Sequence, residues 1–116
     1  MRTMLLTLAL AQFISSAAHA QETLCVKYHK CIAMTAFDCR DEVSSVVHRS
    51  CYLVEKKYLV LVIGNQKTAY HWCEVPPGIV DALRSAPSKG RYFNQNIVGR
   101  ATGGRYDCRN VSPPAL

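Results

Sequence analysis

Six cysteines, Cys25, Cys31, Cys39, Cys51, Cys73 and Cys108, have the widest chemistry open to them in this chain. A thiol can ligate zinc, exchange electrons or close a disulfide, and spacing separates these uses. Zinc sites pair ligands at short intervals such as C-x-x-C, and dithiol redox centres use the same motif. Here the gaps are wide and irregular, and the near pairs with histidine are only His29 with Cys31 and His71 with Cys73. An even count without a metal pattern reads as three disulfides wherever thiols are oxidised. No metal and no cofactor is expected, and sequence order leaves the pairing open.

Catalysis needs a nucleophile, a base and an orienting acid. The chain offers His29, His48 and His71 among eight scattered acids, without a G-x-S-x-G, H-E-x-x-H or P-loop pattern, so no enzyme is expected. Binding has two candidate groups. Tyr70 and Trp72 could stack on bases or sugars, with Lys67, Arg84, Lys89 and Arg91 supplying charge, although burial beneath helices is the plainer role for two large rings. The run Ser88-Lys89-Gly90-Arg91 offers a helix start beside two cations, which suits a phosphate or carboxylate, while a simple N-cap followed by a glycine turn is the plainer account. Tyr70, Trp72, Lys89, Gly90 and Arg91 are therefore the candidate binding residues.

Compartment decides what the cysteines become. Met1-Arg2-Thr3 is a short basic start, residues 4–14 are apolar, and Ala18-His19-Ala20 is an A-x-A site, which together make a secretory signal cleaved between Ala20 and Gln21. The apolar stretch of about 11 residues is shorter than the roughly 20 a transmembrane helix needs, so no permanent anchor is expected. Glu22-Thr23-Leu24 before Cys25 lacks the small residues of a lipoprotein signal. The expected location is periplasmic or extracellular. The formal net charge of +6 favours an anionic partner without naming one, and because no basic run is longer than Lys56-Lys57 a solvated, soluble surface is the plainer account.

The chain beyond Ala20 is long enough for one small domain. Six cysteines in 116 residues fall short of the roughly 8–10% that marks a scaffold built from disulfides, so the bridges should brace a core. Residues 21–43 carry three cysteines and no sustained period, and read as an irregular or short-stranded segment. Residues 45–54, 58–64 and 67–73 are rich in Val, Tyr and Leu and joined by short links, which predicts a three-stranded antiparallel meander. Leu59-Val60-Leu61-Val62-Ile63 is apolar on both faces, so each face needs a cover. Pro76-Pro77 opens a helix with Ile79, Leu83 and Ala86 on one face and Pro87 at its end; Ser88 caps a second, with Phe93 and Ile97 inward and Gly99 closing it. Residues 99–116 read as a flexible loop and tail tied by Cys108.

In a meander the outer strands lie roughly 9–10 Å apart, beyond the roughly 7 Å a disulfide spans between Cα atoms. Cys51 and Cys73 are thus not expected to pair with each other. They should reach the N-terminal segment or Cys108, fastening that segment over the sheet face that the helices leave bare.

The stretch 44–97 resembles the KTSC domain, a module named for its occurrence at the C-terminus of some lysyl-tRNA synthetases. The resemblance rests on an apolar strand ending near Tyr52, on Tyr70-His71-Trp72 at a Tyr-x-Tyr motif, on Val75-Pro76, and on residues 86–97, which match the pattern A-x-S-x-G-x-Y-F-N-x-x-I. Trp72 in place of Tyr is a departure. The export signal and the cysteines look like those of a secreted branch. The resemblance implies a module of unknown function with a conjectured RNA role, and export argues against RNA.

The expectation is an α+β domain: signal peptide 1–20, cysteine-containing segment 21–43, KTSC-like domain 44–98, loop and tail 99–116. Its expected role is a binding or interaction module for an anionic envelope component or a protein. The alternative is a small secreted hydrolase or an enzyme inhibitor.

Overall fold

The computed structural model describes residues 22–108 and 113–114. The expected signal peptide and the cleavage point at Ala20 and Gln21 lie outside the described residues. Strands β1 (Thr23–Cys25) and β2 (Cys31–Ala33) form a two-stranded hairpin, and β3 (Asp38–Asp41), β4 (Val47–Leu53), β5 (Tyr58–Ile63) and β6 (Thr68–Trp72) form an antiparallel sheet in that order. Helices α1 (Pro77–Ser85), α2 (Lys89–Asn96) and α3 (Gly99–Thr102) come after the sheet.

The chain is α+β, as the sequence predicts, but the three-stranded meander is corrected to a four-stranded sheet with a separate hairpin. The added strand, Asp38-Cys39-Arg40-Asp41, pairs with residues 49–52 of β4 and carries three charges in four residues. It has no apolar alternation because it is an edge strand, where charge keeps the open ladder from pairing with other chains. The opposite edge, β6, is also covered. The Lys27 amide donates to the Ala69 carbonyl at 2.9 Å and the Cys73 amide to the Tyr106 carbonyl at 2.8 Å.

Both faces of β5 are buried, and each has its own core. Leu59 and Leu61 meet Val80, Leu83, Phe93 and Ile97 under the helices, with Trp72 edge-on to Phe93 at 5.3 Å between ring centroids. Tyr58, Val60 and Val62 meet Val26, Ile32, Met34 and Phe37 from the N-terminal segment. The buried face of α1 is Val80 and Leu83, with Ile79 only half-buried and Ala86 already extended outside the helix, as expected of a residue before proline. Phe93 of α2 and Ile97, which caps its C-terminal end, are both buried in the core.

The bridges are Cys25–Cys31, Cys39–Cys51 and Cys73–Cys108. Cys51 reaches β3 next to it, where Cys39 is its direct cross-strand partner, and Cys73 holds the segment after α3. That segment is not a loose tail as far as Cys108. Residues 99–102 form a helical turn closed by left-handed Gly103, whose amide bonds the Gly99 carbonyl, and Tyr106 enters the core. A single helical turn inside a glycine-rich run has too few residues for a readable period.

Candidate functional site

The chain between β3 and β4 folds against the start of α2 and leaves an open cleft of about 360 Å³. One wall is residues 43–46, and the other is Pro87, Ser88, Lys89, Gly90, Arg91 and Asn94. The Ser44 hydroxyl accepts the amides of Val46 (3.1 Å) and Val47 (3.2 Å), which turns the chain into β4. Ser88 is the N-cap of α2, and its hydroxyl accepts the Arg91 amide at 3.3 Å. The amides of Lys89 and Gly90, in the first turn, have no acceptor within the helix. Among the described residues, no acidic residue lines this cleft.

The five candidate binding residues part company. Arg91 is exposed at the cleft and, among the described residues, makes no salt bridge. Lys89 lines the cleft but its side chain is only 15% exposed, and its ammonium lies 3.2 Å from the Ala86 carbonyl and 3.9 Å from the Glu42 carboxylate. Gly90 serves packing: a Cβ there would stand 2.8 Å from Val46 Cγ2 and 3.0 Å from Val46 Cβ, so only glycine lets the helix lie against residue 46. Trp72 is core. Tyr70 is half-buried near the β5–β6 turn, and the Lys27 ammonium donates to its hydroxyl at 3.4 Å.

Arg84 is not a surface cation either. Its side chain is 7% exposed. The guanidinium donates to the Ser50 hydroxyl (2.9 Å), the Asp38 carboxylate (2.9 Å) and the carbonyls of Asp38 (2.8 Å) and Ser50 (3.3 Å). Ser50 in turn donates to Glu42 at 2.8 Å, and Glu42 Oε1 lies 3.9 Å from Arg84 Nε. The hydrogen bond from Arg84 holds the Asp38 carboxyl below its ordinary range. This cluster joins α1 to the charged edge strand, and Lys89 links it to the cleft. Nothing along the chain singles out Glu42 and Ser50, since one acid and one serine near a strand look like surface residues.

The motif residues have physical reasons. The Tyr52 hydroxyl donates to the Val75 carbonyl at 2.6 Å inside the core, which couples the end of β4 to the entry of α1. Ser88 caps, Gly90 permits close approach, Phe93 and Ile97 fill the core, and Asn94 faces the cleft.

Of the three candidate histidines, two meet and one stands apart. His48 bonds the Gly64 carbonyl at 2.9 Å beside a register shift in β4. His29 and His71 face each other with ring centroids 4.5 Å apart, and His71 Nδ1 bonds the Tyr58 hydroxyl at 2.8 Å. Burial, aided by the neighbouring His29, holds His71 below the usual histidine range, and burial pushes the Tyr58 hydroxyl far up.

The KTSC domain family model matches residues 43–100. Among solved structures, a KTSC domain protein from Yersinia pestis is similar, with a TM-score of 0.52 and 28% sequence identity over 56% of this chain and 90% of that one. No curated protein matches.

Proposed function

The chain belongs to the KTSC domain family, and on that premise we propose that it is a small exported binding module whose cleft at the start of α2 takes an anionic group. The observation that carries this reading is the residues lining the cleft: the first turn of α2 with exposed Arg91, the serines Ser44, Ser45 and Ser88, and Asn94, with no acidic residue among those described. Backbone N–H groups at a helix start favour negative charge, and a guanidinium can bind phosphate or carboxylate through two parallel hydrogen bonds. Lys89 contributes positive potential while its ammonium stays with Glu42.

The reading is of binding without catalysis. A hydrolase would need a base and an orienting acid within reach of one nucleophile. Among the described residues His48 is engaged by a backbone carbonyl, and His29 and His71 face each other and a buried tyrosine. Export is supported by the three disulfides, which persist in oxidising compartments, and among the described residues no helix is long and apolar enough to cross a membrane.

Calorimetry with inorganic pyrophosphate at low ionic strength tests the assignment. Binding should weaken as salt rises, and Arg91→Ala should weaken it about tenfold by removing a charge-assisted hydrogen bond. Arg91 is exposed, so the variant should fold. Equal affinity in the variant would remove the cleft from consideration.

A further inference from the structure

The hairpin that precedes the family segment ends in an exposed tip, Lys27-Tyr28-His29-Lys30, anchored by the buried Val26. The Cys25–Cys31 disulfide closes its base, and the His29 amide closes the turn on the Val26 carbonyl at 2.9 Å. The His29 ring rests against His71 of β6. Within this frame Tyr28 takes a left-handed backbone conformation (φ 65°) and leaves 90% of its surface exposed. A bulky residue in that conformation carries strain, and a large exposed ring gains little from folding. Both are reasons to ask what the ring meets.

Tyr28 does not stand alone. The Lys27 ammonium lies 5.1 Å from the Tyr28 ring centroid and 5.5 Å from that of Tyr70, and one of its three protons reaches the Tyr70 hydroxyl. Among the described residues this ammonium makes no other hydrogen bond, so beside the two rings it keeps donors for a ligand. Tyr70 also forms one wall of an open cleft of about 280 Å³ with Ile63, Asn65, Gln66 and Thr68 at the β5–β6 turn. That volume falls just below the roughly 300–1,000 Å³ seen for drug-sized ligand pockets, room for one ring unit.

We propose that the Lys27–Tyr28–Tyr70 surface and the adjoining β5–β6 turn bind a carboxylated saccharide, with a sugar ring against the tyrosines, its hydroxyls on Asn65, Gln66 and Thr68, and its carboxylate on Lys27. A sugar presents an apolar C–H face and a rim of hydroxyls, which matches rings bordered by amides and a hydroxyl. A nucleic-acid base can stack on such rings but lacks the rim of hydroxyls that Asn65, Gln66 and Thr68 can meet. The tip is braced before any ligand arrives, so little ordering entropy is lost on binding.

The test uses the full oxidised protein and trigalacturonic acid, followed through the ring resonances of Tyr28 and Tyr70. Saturable shifts of both rings are expected. Lys27→Ala and Tyr28→Ala, both exposed positions, should each weaken binding about tenfold, and the neutral galactose trisaccharide should bind at least about fivefold more weakly than the acidic one. Arg91→Ala should leave this affinity unchanged, which separates the site from the α2 cleft. The proposal is overturned by absence of saturable ring shifts, by unchanged affinity in either tip variant, by equal affinity for the neutral sugar, by loss in Arg91→Ala, or by tighter binding of an oligothymidylate.

Discussion

Replacing Arg84 with methionine removes four hydrogen bonds and leaves Glu42, whose side chain is 6% exposed, facing Ser50 and the more distant Lys89. Methionine keeps most of the side-chain volume, so the loss is chiefly of charge and hydrogen bonding. Breaking a buried ion pair by removing one partner typically costs about 3–5 kcal/mol, because the other charge stays buried. The bond to Asp38 adds little, since that carboxylate is 58% exposed and well screened. For a domain of this size about 3 kcal/mol corresponds to a fall in Tm of at least ~12 °C. Urea and thermal unfolding of the oxidised protein, followed by circular dichroism, would measure it. The companion variant Arg84→Met/Glu42→Met should recover much of the loss, with a coupling of about 1–3 kcal/mol in the double-mutant cycle. A cost below about 1 kcal/mol for Arg84→Met, or a strictly additive cycle, refutes the claim that α1 is fastened to the edge strand through a buried charge network.

Loop lengths rank the disulfides: with sequence separations of 35, 12 and 6, removing Cys73–Cys108, Cys39–Cys51 or Cys25–Cys31 as Ser pairs should cost about 3.8, 2.8 and 2.2 kcal/mol by chain entropy, and denaturant midpoints should keep that order. Gly90→Ala should destabilise by about 1–2 kcal/mol, although alanine is the better helix former, because of the contact with Val46; Gly90→Ala/Val46→Ala should regain part of it in the same urea titration. His71 has a depressed folded-state pKa, so the unfolded chain binds its proton more readily. The stability from keeping the ring neutral is present above about pH 6.5 and is lost as pH falls through the folded value. Unfolding midpoints at pH 7 and pH 5 should differ more in the native protein than in His71→Gln, and equal differences would contradict this.

Much of the family segment was legible because its signals are local. Val-, Leu- and Tyr-rich runs with short links give β4, β5 and β6, proline and Ser88 mark the helix starts, and the two-faced apolar run of β5 requires two covers. The N-terminal strands were legible only as an irregular or short-stranded segment, without bounds or pairing. β1 and β2 have three residues each, too short to show alternation, and β3 displays the charges an edge needs. The candidate site was half legible. A cap-and-cation run can be read along a chain, whereas the fate of each cation depends on what packs beside it from elsewhere. Arg84 and Lys89 meet Glu42, which lies more than forty residues from both. Tyr70 and Trp72 are two apart on one strand, yet Trp72 lies under α2 while Tyr70 lies beside Lys27. The disulfides obey a related logic: Cys51 and Cys73 lie within the matched segment 43–100, and their partners Cys39 and Cys108 lie outside it. The bridges tie both extensions to the family domain.

The central claim, that the start of α2 receives an anion, is tested most directly by tracking the backbone amides of ¹⁵N-labelled oxidised protein during a titration with inorganic phosphate. The account predicts saturable shifts at Ser44, Ser45, Lys89, Gly90 and Arg91, reversed by added salt. Shifts confined to other basic positions such as Arg100 and Arg105, or none that saturate, would contradict it.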